Sequence, residues 1–239
     1  MLPTETIRHH RIKKIIIGVI IVPIALFLML LIVGFVANVL NRSQRISQGD
    51  YSLEATPTST ATEYSGEYKT LVEGVGSQSI GATEPKLTIV EFADFACPFC
   101  LSSFPALRQA SVKYKDSVKI IFRDWPGHTY SIPLSLSAYC AGEQGKFWEM
   151  HDKLYQRQSD TFGADKNDLA QLASELGIYN EQFQQCFDSQ KYLSLIKKNF
   201  SDSQTLQVKG TPTWFFNGSK YEGAITVTNL EAIINEFLK

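Results

Sequence analysis

Two cysteines separated by two residues, Cys97 and Cys100, stand where a predicted strand ends and a predicted helix begins. The residues from Leu87 to Phe92 are apolar or β-branched apart from Glu91, which predicts a buried strand. Apolar side chains near helical spacing follow, so a helix begins at about Pro98. The first backbone N–H groups of a helix have no partner within it, and its dipole favours negative charge there. This junction therefore predicts a fold that holds a cysteine thiolate at a helix N-terminus.

The two thiols are predicted to have different roles. A helix end lowers the pKa of a thiol by roughly one unit from an ordinary value of about 8.5, and direct donation from N–H groups to the sulfur lowers it further. The thiolate is the reactive species, so Cys97 at the exposed helix start is the predicted nucleophile. Cys100, one turn along the helix, is the predicted resolving thiol. Pro98 suits the first turn, because it lacks only an N–H that would have no partner there.

A zinc site is the alternative for two cysteines at this spacing. Zinc requires two further ligands at close spacing, and the remaining cysteines, Cys140 and Cys186, stand far apart. The four histidines add no second pair of ligands. Because a strand precedes the pair and a helix follows it, we expect a redox pair that acts without metal or other cofactor.

One uncharged run, from Ile15 to Leu40, dominates the N-terminal part of the chain. A membrane-spanning helix needs about 20 apolar residues, so this run is long enough to cross a bilayer as a transmembrane helix. The tail at residues 1–14 carries more basic residues than the segment just after the run, which predicts a cytoplasmic N-terminus and an extracytoplasmic remainder. Over all 239 residues the net charge is −1, which gives no electrostatic reason to expect nucleic acid as a partner.

A cleaved signal peptide and a buried core helix are the two other interpretations of this run. A cleaved signal peptide has an apolar region of about 7–15 residues and a small-residue cleavage site, whereas this run is longer and Val36-Ala37-Asn38 is a poor site. A buried core helix is disfavoured by the same length, so an uncleaved signal-anchor is preferred. Residues 41–70 are rich in Ser and Thr with little to pack, and they are predicted to form an extended linker to a folded domain at 71–239.

The folded domain is predicted to alternate strands and helices around the redox motif. Val118 to Arg123 forms a second strand, which lies parallel to the first because a helix connects them. That helix contains Pro105, which should bend or break it. Five helical segments are predicted at about residues 130–206, followed by a hairpin with its turn at Asn217-Gly218 and a terminal helix from Asn229 to Leu238.

Cys140 and Cys186 each fall on a predicted helix of the long helical stretch. Disulfides persist outside the cytoplasm, and the cysteine count is even, so we predict a structural disulfide between these two residues. In the chain-entropy model such a bond stabilises the fold by on the order of 4 kcal/mol.

Three stretches, residues 88–100, 139–148 and 210–213, together resemble the DsbA-like thiol-disulfide oxidoreductases. The resemblance covers residues 74–239. It implies an α/β, thioredoxin-like fold with an inserted helical domain, here preceded by the transmembrane helix.

The resemblance also implies roles for individual residues. Pro212 would be cis and pack beside Cys97, and Thr211 would offer backbone hydrogen bonds to an extended substrate. Pro98 and Phe99, between the cysteines, complete the predicted substrate-binding residues. The pattern alone leaves Glu91 either as a solvent-facing strand residue or as a carboxylate retained for proton transfer; the resemblance places it where the family has a buried proton shuttle.

The leading hypothesis is a membrane-tethered, monomeric enzyme that introduces disulfides into secreted or cell-envelope proteins. A quinone-linked membrane protein would reoxidise it. The reverse direction, a reductase fed by a membrane electron donor, uses the same residues and remains open. An isomerase is disfavoured, because residues 41–80 are too few for the separate dimerisation domain that isomerases usually carry. A non-catalytic module that binds clients is the alternative of another class.

Overall fold

The structure is a computed structural model that describes residues 27–34, 36 and 64–239. Within these ranges, none of the helices combines the length and the apolar character needed to cross a bilayer. The predicted transmembrane helix at 15–40 lies largely outside the described residues, as does the linker before residue 64. The chain divides into two units, residues 1–55 and 56–239. The strands and most of the described helices lie in the second unit.

The second unit alternates strands and helices, as the sequence predicts. We number the elements along residues 64–239. They are α1 (Gly66–Glu73), β1 (Gln78–Gly81), β2 (Leu87–Ala93), α2 (Pro98–Lys113), β3 (Val118–Asp124), α3 (Ser131–Gly142), α4 (Phe147–Gln156), α5 (Lys166–Glu175), α6 (Asn180–Asp188), α7 (Leu193–Thr205), β4 (Thr213–Phe216), β5 (Ser219–Glu222) and α8 (Val227–Phe237).

The five strands form one mixed sheet in the order β1-β3-β2-β4-β5. β2 and β3 are parallel, which confirms the predicted strand–helix–strand unit, and the other three pairings are antiparallel. β2 lies at the centre of the sheet and is buried along its whole length. Glu91 on β2 therefore sits in the middle of the sheet, beside Phe122 of β3 and Trp214 of β4.

Alternate residues of β2 enter different apolar clusters, because successive side chains of a strand point to opposite faces. Leu87 and Ile89 join a cluster built with α2 and α8. Val90 and Phe92 join a cluster that includes Val72 of α1. Helices thus cover both faces of the sheet. Because both faces of β2 are buried, its sequence is a nearly continuous apolar run.

Five helices, α3 to α7, occupy the chain between β3 and β4. A disulfide joins Cys140 on α3 to Cys186 on α6, with the two Cα atoms 5.7 Å apart and the residues 46 positions apart in sequence. The predicted structural disulfide is confirmed. Both half-cystines lie in the apolar cluster that these helices share with the start of α2.

The structure tests two local expectations from the sequence: the bend or break at Pro105, of which the break does not occur, and the hairpin turn, which is confirmed. α2 continues through Pro105 rather than breaking there, and Ala106, Leu107 and Ala110 on its later turns are buried. Their packing offsets the backbone hydrogen bond that proline cannot make, worth about 3 kcal/mol in an unsupported helix. The predicted turn at Asn217-Gly218 is present, with positive φ at both residues as a two-residue hairpin turn requires.

Residues 64–73, which overlap the predicted linker at 64–70, form a segment built around α1. The Tyr64 hydroxyl donates to Glu73 across 2.8 Å, and the Tyr68 hydroxyl donates to the carbonyl of Gly218 in the hairpin turn across 2.7 Å. The fully buried guanidinium of Arg123 donates to the carbonyls of Leu71 and Val72, each across 2.9 Å. The same guanidinium pairs with Asp202 of α7 at 2.7 Å. These polar contacts hold α1 against the sheet. The sequence did not predict them, because the segment is mostly polar and its partners are distant in sequence.

Candidate active site

Cys97 and Cys100 lie at the N-terminus of α2 as free thiols. Cys97 is the N-cap residue, its N–H donates to the carbonyl of Asp94 across 3.0 Å, and Pro98 occupies the first turn. The sequence predicted an exposed Cys97, but only 4% of this residue is accessible, against 0% of Cys100. Pro98 and Phe99 between them are exposed, so the motif reaches the surface through these two residues.

The segment before β4 covers the Cys97 sulfur. Thr213 pairs with Phe92 on β2, and this register brings the preceding residues beside the redox motif. The Thr211–Pro212 peptide bond is cis, as the resemblance implied. The Cys97 thiol donates to the Thr211 carbonyl across 3.4 Å. The structure thus brings Cys97, Cys100, Thr211 and Pro212 together, and it accounts for the low exposure of Cys97.

Hydrogen bonds separate the pKa values of the two thiols. Donation from the Cys100 side chain is the largest cause that lowers the pKa of Cys97 to about 5, and the Thr211 side chain and the N–H groups of Cys100 and Phe99 add to it. Burial opposes this shift, and so does the thiol's own donation to the Thr211 carbonyl, which favours the protonated form. Sequence reasoning assigned the main effect to backbone N–H groups; the neighbouring thiol contributes more.

Cys100 responds in the opposite direction. Burial is the largest cause that raises the pKa of Cys100 well above its ordinary value, followed by its donation to Cys97 and the negative charges of Glu91 and Cys97. At neutral pH the pair therefore carries one thiolate, on Cys97, and one thiol, on Cys100. This asymmetry is what a nucleophile and a resolving thiol require.

Glu91 is buried, with 3% of the residue accessible. Burial first, and then the negative charge of Cys97, raises the pKa of this carboxyl to about 8. The strand pattern left open whether the Glu91 side chain faces solvent or is buried, and in the structure it is buried. A carboxyl with this pKa is mostly protonated at pH 7 and can both release and accept a proton near that pH.

Asp94 organises the turn before Cys97, and the sequence analysis did not identify it. Its Oδ1 accepts from the N–H of Ala96 across 2.9 Å. Its Oδ2 accepts from the N–H of Gly127 and the hydroxyl of Ser131, at 3.0 and 2.8 Å, and lies 2.7 Å from Nδ1 of His128. One buried carboxylate thus ties the loop before α2 to the loop after β3. An aspartate that begins a turn ahead of a helix N-cap is the signal that points to this role.

Gln158, just after α4, was also not predicted. Its Nε2 donates to the carbonyls of Phe95 and Cys97, at 2.8 and 3.1 Å. The inserted helices therefore contact the redox loop directly. No spacing or residue pattern marks this glutamine, because the contact depends on how the helices pack against the sheet.

The chain is similar to known proteins in sequence and in fold. The sequence model of the family described as Thioredoxin matches residues 73–236. The Na(+)/H(+) antiporter NhaA 3 of Salinispora tropica is 34% identical over 157 residues, which are 64% of this chain and 24% of the antiporter. The chain spans about a quarter of the length of the curated relatives it matches.

Two solved structures share the fold. The thiol-disulfide exchange protein alpha-DsbA2 of Wolbachia pipientis superposes with a TM-score of 0.63 at 21% identity, over 71% of this chain and 91% of that one. The catalytic domain of Proteus mirabilis ScsC superposes with a TM-score of 0.61 at 24% identity, over 72% and 94% of the two chains. With a family match across most of its length and this shared architecture, the chain belongs to the thioredoxin family.

Proposed function

We propose that this protein is a thiol-disulfide oxidoreductase that introduces disulfides into client proteins through Cys97 and Cys100. The observation that carries the proposal is the placement of two free thiols at one helix N-terminus, with the pKa of Cys97 lowered and that of Cys100 raised. Two cysteines kept only for packing would not need hydrogen bonds that stabilise one thiolate.

The oxidising reaction begins with the Cys97–Cys100 disulfide. A client thiolate attacks Cys97 Sγ, a client–Cys97 mixed disulfide forms, and Cys100 leaves as a thiolate. A second client thiolate then attacks the client sulfur of the mixed disulfide and releases Cys97 as a thiolate. The client loses two electrons and the protein gains two. The client's two thiol protons end on Cys100 and in solvent.

Glu91 supplies the proton for the first step and regains one from solvent, into which the client thiols release theirs. Cys100 leaves as a thiolate although its own pKa is high, so it needs a proton at once. The Glu91 carboxyl, with a pKa of about 8, holds that proton at pH 7 and stands on the central strand whose end leads into the redox loop. In the reverse step, when Cys100 attacks a mixed disulfide, the ionised carboxylate accepts the proton.

Stabilisation of the Cys97 thiolate favours the oxidising direction. A thiol with a low pKa is a good leaving group, and a stabilised reduced form makes the disulfide a stronger oxidant. Equilibration with glutathione at known ratios measures the potential. We expect a value near the oxidase end of the family range, about −120 mV; a value near that of thioredoxin, about −270 mV, would identify a reductase instead.

We further propose that the protein is tethered to a membrane with the redox domain outside the cytoplasm. The uncharged run from Ile15 to Leu40 supports this, and so do the exposed apolar side chains of the helical residues 27–33 and 36. Protease added to intact spheroplasts should digest the domain. Protection in intact spheroplasts, with digestion only after lysis, would reverse the topology.

The partners follow from the chemistry and the compartment. Clients are secreted or cell-envelope proteins with free thiols, and a quinone-linked membrane protein takes up the electrons from the reduced pair. Na(+)/H(+) exchange is not carried over from the similar antiporters, because the match covers only 24% of their length. We propose that the protein acts as a monomer.

A further inference from the structure

The carboxyl of Glu91 has little access to water, although the proposed exchange requires it to trade protons with solvent. Only 3% of the residue is accessible, and of the two thiols that act on it or respond to it Cys97 is 4% exposed and Cys100 is fully buried. Ala93, on the same face of β2, belongs to the apolar cluster that the inserted helices share with α2. A proton that leaves or reaches Glu91 therefore needs polar groups within this cluster, because an isolated charge in apolar surroundings is costly.

Two side chains of α4 place such groups in the buried interior. His151 and Tyr155 are buried, and they lie one helical turn apart on the same face of the helix. Their rings stand edge to face, with the centroids 5.0 Å apart. Nε2 of His151 and the hydroxyl of Tyr155 are both inaccessible to solvent, and neither makes a hydrogen bond to a described residue. Buried polar atoms are usually paired, so two unpaired atoms on adjacent rings form a site that fits a bridging water molecule.

Tyr155 forms the inner end of this pair. Burial first, and then the negative charges of Cys100 and Glu91, raise the pKa of its hydroxyl well above the ordinary value. The ring of His151 is also near these groups, because its centroid lies 5.6 Å from that of Phe122, the β3 neighbour of Glu91. The unpaired hydroxyl therefore lies within electrostatic reach of both the resolving thiol and the carboxyl that serves it.

Asp152 connects His151 with the protein surface. Nδ1 of His151 lies 3.0 Å from Oδ1 of Asp152, and Oδ2 of Asp152 pairs with Nε of Arg108 on α2 at 2.9 Å. The side chain of Asp152 is 21% exposed, whereas that of His151 is 1% exposed. Burial lowers the pKa of His151, although Asp152 opposes this shift. The imidazole is therefore neutral at pH 7, and with Nδ1–H facing the carboxylate its Nε2 is free to accept a proton.

We propose that Tyr155 and His151 carry protons between Glu91 and the partly exposed carboxylate of Asp152, with a buried water molecule bridging the two unpaired atoms. This inference rests on the proposed thiol–disulfide exchange and deepens it, because it assigns the route by which Glu91 exchanges protons with solvent. Tyr155 and His151 act through Glu91 and touch no client, so they are positioning residues for the reaction.

The proton moves outward when Cys100 attacks a mixed disulfide and Glu91 takes up the thiol proton. The Tyr155 hydroxyl accepts this proton from Glu91 while it donates its own through the water molecule to Nε2 of His151, so no phenolate forms. The imidazolium then gives its Nδ1 proton to Asp152, which releases it to solvent. When a client reduces the pair, the same transfers run in reverse and bring one proton in. A full cycle of reduction and reoxidation therefore restores both nitrogens of His151.

Infrared spectroscopy of the full chain in lipid nanodiscs tests the path without thiol exchange. A jump from about pH 7 to about pH 9 ionises Glu91, and loss of its carboxyl band, identified by its absence in Glu91→Gln, gives the rate of proton release. Tyr155→Phe removes only the unpaired hydroxyl, and it should slow this release by about tenfold without changing the pKa of Glu91. Tyr179→Phe, at an exposed position, is the matched control and should leave the rate unchanged. Equal rates in Tyr155→Phe and the wild type would overturn the path.

Thiol kinetics test both ends of the path. Asp152→Asn preserves the size of the side chain but cannot take up a proton, so it should slow the resolution of a Cys97 mixed disulfide by Cys100 by about tenfold, as should Tyr155→Phe. Both variants should leave the reduction potential of the pair and the alkylation rate of Cys97 unchanged, because a proton path alters rates and not equilibria. Asp188→Asn, which changes a carboxylate paired with a lysine on the surface, is the matched control and should resolve at the wild-type rate.

The outcomes separate this inference from the proposed function. Failure of the wild type to exchange thiols with dithiothreitol would overturn the proposed function, whereas the infrared rates would still decide the path. A changed potential or a changed alkylation rate of Cys97 in both Tyr155→Phe and Asp152→Asn would assign the two residues a structural role and overturn the path. Slower resolution by Cys100 with an unchanged infrared rate would also overturn it, while leaving thiol exchange intact.

Discussion

The two cysteine pairs of this protein contain the same chemical groups in different surroundings. Cys97 and Cys100 stand three positions apart at a helix start, where N–H groups, a hydroxyl and a buried carboxyl surround the sulfurs. Cys140 and Cys186 stand 46 positions apart on α3 and α6 and are bonded to each other. All four cysteines belong to the same apolar cluster, so burial does not distinguish the two pairs. Reactivity therefore follows from hydrogen-bond donors near the sulfur, while the pair without them serves to connect two helices.

Substitutions at Cys97 and Cys100, the reactive pair, have the largest expected effect on activity. Cys97→Ala should abolish oxidation of a client dithiol, because the nucleophile is removed and Cys100 alone cannot form the redox disulfide. Cys100→Ala keeps the nucleophile but removes the resolving thiol, so mixed disulfides with clients should accumulate as adducts on non-reducing gels. Adducts on Cys97→Ala but not on Cys100→Ala would reverse the two assigned roles.

Removal of the second pair tests whether its role is structural alone. The double change Cys140→Ala and Cys186→Ala should lower the free energy of unfolding by about 4 kcal/mol, close to a thousandfold in the folding equilibrium, because the unfolded chain regains its freedom. Chemical denaturation measures the loss, and the rate of thiol exchange should stay near that of the wild type. The double change Cys97→Ala and Cys100→Ala is the control, and it should cost much less stability than this.

Glu91→Gln removes the ionisable group beside the reactive pair while preserving size. The rate at which Cys100 resolves a Cys97 mixed disulfide should rise with pH through about 8 in the wild type, as the carboxyl becomes able to accept a proton. In Glu91→Gln this rise should disappear and the rate at pH 8 should fall by about a hundredfold. Stopped-flow measurement of thiol release follows the step, with Glu181→Gln on the exposed surface of α6 as control.

The same substitution has a signature in stability. The folded carboxyl keeps its proton up to about pH 8, whereas an unfolded one loses it near 4.5, so the unfolded state binds fewer protons between these values. The contribution of Glu91 to stability should therefore fall as pH rises from about 4.5 to 8, whereas that of Cys97, whose pKa is lowered to about 5, rises with pH. Because Glu91→Gln removes only the first contribution, the stability of the wild type should fall with pH relative to that of Glu91→Gln. Parallel stability curves for the two proteins would mean that the pKa of Glu91 is not raised.

The smallest expected effect concerns the Thr211 side chain. Its replacement tests how much this side chain contributes to the lowered pKa of Cys97. Thr211→Val removes one hydroxyl, so the pKa of Cys97 should rise by about one unit, in keeping with one hydrogen bond to a charged group. Ultraviolet absorbance of the thiolate gives the titration curve. Thr205→Val, at an exposed position on α7, is the control and should leave the curve unmoved. A Cys97 pKa unaffected by Thr211→Val would assign the shift to Cys100 and the backbone.

Sequence reasoning reached those parts of the protein whose causes are local. Alternating strand and helix patterns predicted the parallel β2 and β3, and the Asn217-Gly218 turn predicted the hairpin, because each depends on neighbouring residues. The continuity of α2 through Pro105 was not predicted, since it depends on packing against the sheet and α8. The ordered α1 was missed for a related reason: its hydrogen bonds come from residues as distant in sequence as Arg123.

The candidate site likewise contains residues that the sequence predicted and residues whose role depends on contacts with distant parts of the chain. Cys97 and Cys100 were identified by spacing and context, and the burial of Glu91 was one of two positions that its strand allowed. Gln158 reaches the site from the inserted helices, about sixty residues later in the chain, and no local pattern predicts such a contact. The low exposure of Cys97 escaped prediction as well, because it arises where the segment before β4 passes over the sulfur.

The hydrogen bonds between α1 and the sheet have a mechanical consequence. Any pull on the chain ahead of residue 64 enters the fold through α1, where Arg123 holds the carbonyls of Leu71 and Val72 and Tyr68 holds the hairpin turn. Arg123 is fully buried, so water cannot readily replace these bonds, and the load spreads into β3 and α7. The redox loop follows β2, the neighbouring strand. A client drawn away while covalently joined to Cys97 would thus strain against an anchored sheet rather than unravel the end of the domain.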